Sequence, residues 1–233
     1  MRKDYFSVGD FVHIIRRGGR GLPIVKNKSD FDRLLKVHFY LNDTAAKDNW
    51  FREISSDFLS DSFQWPKEWP KCDKLFELCG FTFLSNHYHL IGLEKRKGGI
   101  SKFMQKSGIS ISKYYNEKYT ERGSLFQGAY KARRIDKDDY LHWVIPYVMA
   151  KNTFEMHPKG YAWAVKNFDV AWRWAINYPY SSLGCYAGGI NYQFINTKPL
   201  QKLLGRPSQF KNICKDMIIG RENIQEVVNS SFE

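Results

Sequence analysis

Apolar residues recur along this chain at two spacings, every second position or every third to fourth, and the switches between them mark its elements. Phe11-Val-His-Ile-Ile15 reads as a first strand, and Arg16-Arg-Gly-Gly-Arg-Gly21 as the basic turn that follows. After an extended piece, Leu22–Val25, a helix opens with Ser29 as its expected N-cap. Its apolar positions, Phe31, Leu34, Leu35, His38 and Phe39, face one way and should cover a sheet. Residues 42–70 follow neither period. They are rich in Asp and aromatics and read as a partial insertion. Cys79–Leu93 reads as a strand with apolar flanks. Gly98-Gly99 then separates it from two helical patterns, Ile100–Lys106 and Ile109–Tyr119. A further helix, capped by Asp136, carries Tyr140, Val144, Tyr147 and Lys151 on one stripe. Pro146 stands inside it and should kink it. Pro179–Ser182 reads as a turn packing back on the domain, and Pro199–Leu204 and Phe210–Gly220 as short amphipathic helices.

The strand at Cys79–Leu93 holds the first chemistry. Side chains alternate between the faces of a strand, so His87 and His89 share a face and Tyr88 takes the other. Two imidazoles roughly 7 Å apart at the backbone can share one divalent cation. The competing reading is a chance His-x-His pair, one ring solvated and the other satisfied in the core.

Charge adds a partner. The 233 residues carry 36 Lys+Arg against 24 Asp+Glu, a net +12, with pI near 9.4. Between Lys95 and Arg134 stand eleven Lys/Arg and two Glu, nine of the twelve net charges within forty residues. So local an excess points to a polyanion. In the same stretch cations alternate with aromatics, a composition that grips a sugar-phosphate backbone while stacking bases. About half of Tyr114, Tyr115, Tyr119, Phe126 and Tyr130 should instead be core. The candidate contacts are Lys102, Lys106, Lys113, Arg122, Gln127, Lys131, Arg133 and Arg134, together with Arg16, Arg17 and Arg20 of the first turn, where glycines let backbone amides approach a phosphate. The cysteines, Cys72, Cys79, Cys185 and Cys214, have no paired spacing. No apolar run is long enough to span a bilayer, and the N-terminus has no signal-peptide core, so a reduced cytoplasmic protein is expected.

Ser85-Asn-His-Tyr-His-Leu-Ile91 resembles the histidine–hydrophobic–histidine motif of the HUH single-strand DNA endonucleases. More narrowly, the order of pieces is similar to that of the single-tyrosine transposases of the REP-associated and insertion-sequence-200-like group. Glu121-Arg-Gly-Ser-Leu-Phe-Gln-Gly-Ala-Tyr-Lys-Ala-Arg-Arg134 resembles that group's Arg-Gly turn and basic strand, and Trp172–Leu183 its closing segment. The resemblance implies an α+β, ferredoxin-like antiparallel sheet packed with helices over residues 1–195, with residues 196–233 a helical tail outside the pattern. It implies Tyr147 as nucleophile, in the segment Tyr140–Asn152, and His87 and His89 as ligands to Mg²⁺ or Mn²⁺. It implies single-stranded DNA beside a hairpin as the partner of a monomer or homodimer. The family usually places Asn or Gln one turn after the tyrosine as third ligand. Here that position is Lys151, a poor ligand while protonated, and Asn152 comes next.

Two other functions compete with a nicking and joining enzyme. A domain of this fold that binds structured single strands without cleaving them is favoured by Lys151 and Pro146. A metal-dependent hydrolase with a structural Tyr147 would release a free 5′-phosphate and form no protein–DNA adduct.

Overall fold

A computed structural model describes residues 6–46, 50, 63–136 and 138–220. Its frame is a four-stranded, wholly antiparallel sheet in the order β2-β3-β1-β4. The strands are β1 (Phe11–Arg17), β2 (Phe76–Phe83), β3 (His87–Glu94) and β4 (Lys131–Arg134). Helix α1 (Lys28–Tyr40) joins β1 to β2, and α2 (Gly99–Tyr119) joins β3 to β4. This β-α-β-β-α-β order is the ferredoxin-like arrangement that the resemblance implies.

The stretch Cys79–Leu93 is not one strand. It is the heart of a hairpin, β2 and β3, turning at Leu84-Ser85-Asn86, with Leu84 N–H donating to the His87 carbonyl at 2.9 Å. Alternation survives on β3, but the apolar run before the turn belongs to the neighbouring strand. The two helical patterns after Gly99 are one continuous helix, α2. Helix α1 is capped by Asn27, not Ser29. Asn27 accepts from the Asp30 N–H while Asp30 accepts from the Asn27 N–H, a reciprocal capping box, and Ser29 Oγ donates to Asn27 Oδ1.

Helices cover both sheet faces. On one, α1 and α2 bury Val12, Ile14, Phe81, Phe83, Tyr88 and Leu90, with the His38 ring packed against Phe83, Tyr88 and Phe103. The other face carries His13, Ile15, Arg17, Thr82, His87, His89 and Ile91, placed together by the pairings Ile15↔His89, Arg17↔His87, His13↔Ile91 and Thr82↔His89. Against it lies α3 (Asp138–Pro146), followed by a π-turn (Tyr147–Lys151) and α4 (Asn152–Glu155). Thr82 Oγ1 donates to the Val148 carbonyl at 2.5 Å and thereby pins the π-turn to β2.

The chain continues through α5 (Tyr161–Lys166), α6 (Phe168–Ala175), α7 (Leu183–Ala187), α8 (Lys198–Leu204) and α9 (Pro207–Gly220). Tyr180–Ser182 docks on the free edge of β2: Phe83 N–H donates to the Tyr180 carbonyl and Ser182 N–H to the Phe81 carbonyl. Both amphipathic helices expected after residue 196 form. Leu200, Leu204, Phe210 and Cys214 join the same hydrophobic core as the sheet. Within the 42–70 stretch, residues 47–49 and 51–62 lie outside the described residues. Trp50, Trp65 and Trp69 pack around Tyr40. Among the described residues no helix is long and apolar enough to cross a membrane.

Candidate active site

Three elements meet at one end of the helix-covered face that carries the histidines. β3 supplies His87 and His89, the end of β1 and the turn after it supply Arg17 and Gly21, and the π-turn supplies Tyr147 and Lys151. All of these except His89, which is fully buried, line a cleft of roughly 380 Å³ together with Asn86, Gln127 and Glu155. The turn holds its place because Gly18 N–H donates to the Asn86 carbonyl at 2.7 Å and Asn86 Nδ2 donates to the Gly21 carbonyl at 3.2 Å. Gly18 can only be glycine there, since a Cβ would lie 2.1 Å from the Leu22 carbonyl oxygen.

The rings of His87 and His89 lie 5.1 Å apart, and the Tyr147 ring stands edge-on to His89 at 5.8 Å. His87 Nδ1–H donates to Asn86 Oδ1 at 2.7 Å, so its Nε2 is the free nitrogen. His89 is fully buried, its Nδ1 is 2.9 Å from His13 Nε2, and its own Nε2 has no hydrogen-bond partner. Burial holds both imidazoles neutral. His87 falls to about 4, helped by the nearby Arg17 and Lys151, and His89 lies well below the ordinary range. Neutral imidazole is the form that binds a cation.

Lys151 and Asn152 are arranged differently from a plain helix. Pro146 has no N–H to continue the α3 ladder. The next turn is wide, with the Asn152 N–H bonded to the Tyr147 carbonyl, five residues back. One turn above Tyr147 is therefore Asn152, where a regular α-helix would put Lys151. The side chain of Asn152 is buried, and neither amide atom has a partner. Lys151 sits on the cleft wall, its Nζ 4.9 Å from the Tyr147 ring centroid and 2.5 Å from Glu155 Oε1. Among the described residues no three His, Cys, Asp or Glu side chains cluster as a metal site. The Nε2 of His87, the unpartnered Nε2 of His89 and the unpartnered carboxamide of Asn152 are together a donor set whose chemistry suits a divalent cation bound partly by water.

The tyrosine hydroxyl is in an unfavourable place to ionise. Desolvation, then the charge of Glu155, pushes Tyr147 up to about 12, against which Arg17 pulls down.

Of the expected DNA contacts, Arg17 and Gln127 line the cleft. Arg20 is exposed at the tip of the first turn in a left-handed conformation, φ 54°. Lys131 and Arg133 share the sheet face of His13, and the Arg133 guanidinium lies 4.5 Å from the Tyr140 ring centroid. Arg134 is on the opposite sheet face, 3.8 Å from Asp10. Arg16 also points to that opposite face, where it donates to the Met104 carbonyl at 2.8 Å and covers Phe126 at 4.0 Å. Lys102, Lys106 and Lys113 are on α2, across the sheet from the cleft, with Lys106 donating to the carbonyls of Asp43 and Ala46. Arg122 is exposed beyond the end of α2. Of the five aromatics in that stretch, Tyr115 and Phe126 are core, while Tyr114 and Tyr119 donate to Asp30. Sequence reasoning missed Asn86, Glu155 and above all His13, whose place against His89 depends on a strand register that a single sequence does not reveal.

No family model matches the sequence, and no curated protein matches it either. A solved structure described as a REP-associated tyrosine transposase bound to a REP hairpin is similar over 83% of this chain and 88% of that one, at 14% identity and a TM-score of 0.44.

Proposed function

We propose that this protein is a metal-dependent single-stranded DNA endonuclease and strand transferase that works through a 5′-phosphotyrosine on Tyr147, on DNA bearing a hairpin. The observation that carries the reading is the convergence of Tyr147 with His87 and His89 at a cleft walled by Arg17 and Lys151.

His87, His89 and Asn152 would hold a Mg²⁺ or Mn²⁺ ion, which when bound supplies positive charge to the scissile phosphate and to the developing phenolate. The Tyr147 oxygen attacks phosphorus, the bond from phosphorus to the 3′-oxygen breaks, and the phenolic proton leaves through solvent as the departing 3′-oxygen gains one. The products are a 5′-phosphotyrosine and a free 3′-hydroxyl, so the bond energy is kept for joining to another 3′-hydroxyl. Charge decides whether this runs at neutral pH. A phenol raised from 10 to about 12 carries a penalty of roughly 3 kcal/mol for its phenolate. Arg17 and Lys151 line the same cleft as Tyr147, but Lys151 is paired with Glu155, so a bound cation would add stabilisation of the phenolate that this pair does not. The same penalty favours the second reading, a binder of hairpin-bearing single strands that does not cut.

A labelled hairpin-bearing single strand incubated with Mn²⁺ separates the two. The enzyme nicks it, Tyr147→Phe and His87→Ala do not, and both variants still bind. Equal nicking by Tyr147→Phe would move the chemistry to a hydrolase, and none by the wild type would leave the binder.

A further inference from the structure

Resting on the reading that His87 and His89 hold a divalent cation, we propose that His13 is a positioning residue: it holds His89 as the tautomer whose Nε2 lone pair is free for the cation, and Tyr140 holds His13 in turn.

Three elements that are remote in sequence build this relay. His13 comes from β1, His89 from β3 and Tyr140 from α3. The two imidazoles are fully buried, with centroids 5.1 Å apart and planes 12° from parallel. His13 Nε2 is 2.9 Å from His89 Nδ1, and His13 Nδ1 is 3.3 Å from the Tyr140 hydroxyl. One proton must lie between the two imidazoles, since two lone pairs or two N–H groups facing each other would repel.

That leaves two neutral arrangements. In the first, His89 Nδ1–H donates to His13 Nε2, His13 Nδ1–H donates to the Tyr140 hydroxyl, and His89 Nε2 is a bare lone pair. In the second, every proton is reversed, and His89 Nε2 carries an N–H that is buried with no acceptor. A cation selects the first and the second excludes it. Imidazoles that bind metals do place their other nitrogen on an acceptor, which fixes tautomer and ring plane. His87 meets the same need through Asn86 in the β2–β3 turn. His89 meets it through a second imidazole, and so through the helix that leads to Tyr147.

The test titrates Mn²⁺ into metal-free protein by calorimetry and reads the ring nitrogens by ¹⁵N NMR. The wild type binds, and His89 carries its proton on Nδ1. His13→Leu removes the acceptor and weakens Mn²⁺ binding by roughly 10–100-fold. His13→Gln, whose amide oxygen can accept, recovers most of the affinity. Tyr140→Phe keeps both imidazoles and loses less, which preserves the test if His13→Leu fails to fold. Unchanged affinity in His13→Leu, equal weakness in His13→Gln, or a proton on Nε2 of His89 would overturn the proposal while leaving the cation site standing. A wild type that binds Mn²⁺ no better than His87→Ala would instead remove the cation reading, and this proposal with it.

Discussion

The backbone N–H of Asn152 bonds to the carbonyl of Tyr147, one residue further than an α-helix reaches. The extra residue in the turn puts Lys151 on the cleft wall and buries Asn152. If Asn152 completes the cation's ligands, Asn152→Ala should weaken Mn²⁺ binding about tenfold or more, the usual scale for loss of a group that holds a metal. Lys151→Ala should leave that affinity nearly unchanged, because Lys151 is occupied with Glu155. Calorimetric titration of both variants checks this, and the reverse order of effects would give the third position to residue 151.

Arg16 and Arg17 are adjacent but serve opposite sheet faces, which separates structure from binding. The Arg16 guanidinium fills a space beneath α2 so closely that a Cβ on Gly108 would lie 2.2 Å from it. Arg16→Leu should therefore lower stability, by roughly 1–3 kcal/mol in urea unfolding, without altering the salt dependence of DNA binding. Arg17→Ala should leave stability alone and reduce the slope of log affinity against log salt by about one. An altered slope in Arg16→Leu would mean that DNA reaches the far side of the sheet.

Acid should loosen the fold through its buried histidines. His38, sealed on the α1 side with its Nδ1–H on the Leu34 carbonyl, falls to about 4, chiefly by desolvation, and Arg16 pulls the same way. Its folded value lies below the unfolded value near 6.5, so the unfolded chain binds the extra proton between the two. Stability is then fully present above pH 6.5 and is lost as pH falls toward 4. At pH 5 this single group accounts for on the order of 2 kcal/mol. Urea midpoints at pH 7 and pH 5 measure it, and His38→Gln should flatten the difference; an equal fall in that variant would assign the effect to other groups.

The legible parts of this fold were those governed by local periodicity. Alternation on β3 was enough to put His87 and His89 on one face, and the 3.6 period marked α1, the two halves of α2, and α8 and α9. Apolar strands that abut without a strong turn signal were not separable, which is why Phe81 and His87 read as one strand. Ser29 and Asn27 are comparable caps, and only the reciprocal bond with Asp30 decides between them. His13 was invisible as a site residue because its neighbour is 76 positions away. The wide turn at Tyr147 was foreshadowed by Pro146 alone, as a kink; the shift that brings Asn152 into place shows only in the backbone bonds.

The central claim is that Tyr147 becomes joined to DNA. Wild-type protein incubated with Mn²⁺ and a labelled hairpin-bearing single strand should yield an adduct that survives denaturant, and mass spectrometry of the digested adduct should find the nucleotide phosphate on Tyr147, with Tyr147→Phe giving none. Cleavage that leaves a free 5′-phosphate and no adduct, or a phosphate mapped to Tyr140, Tyr114 or Tyr115, would contradict it.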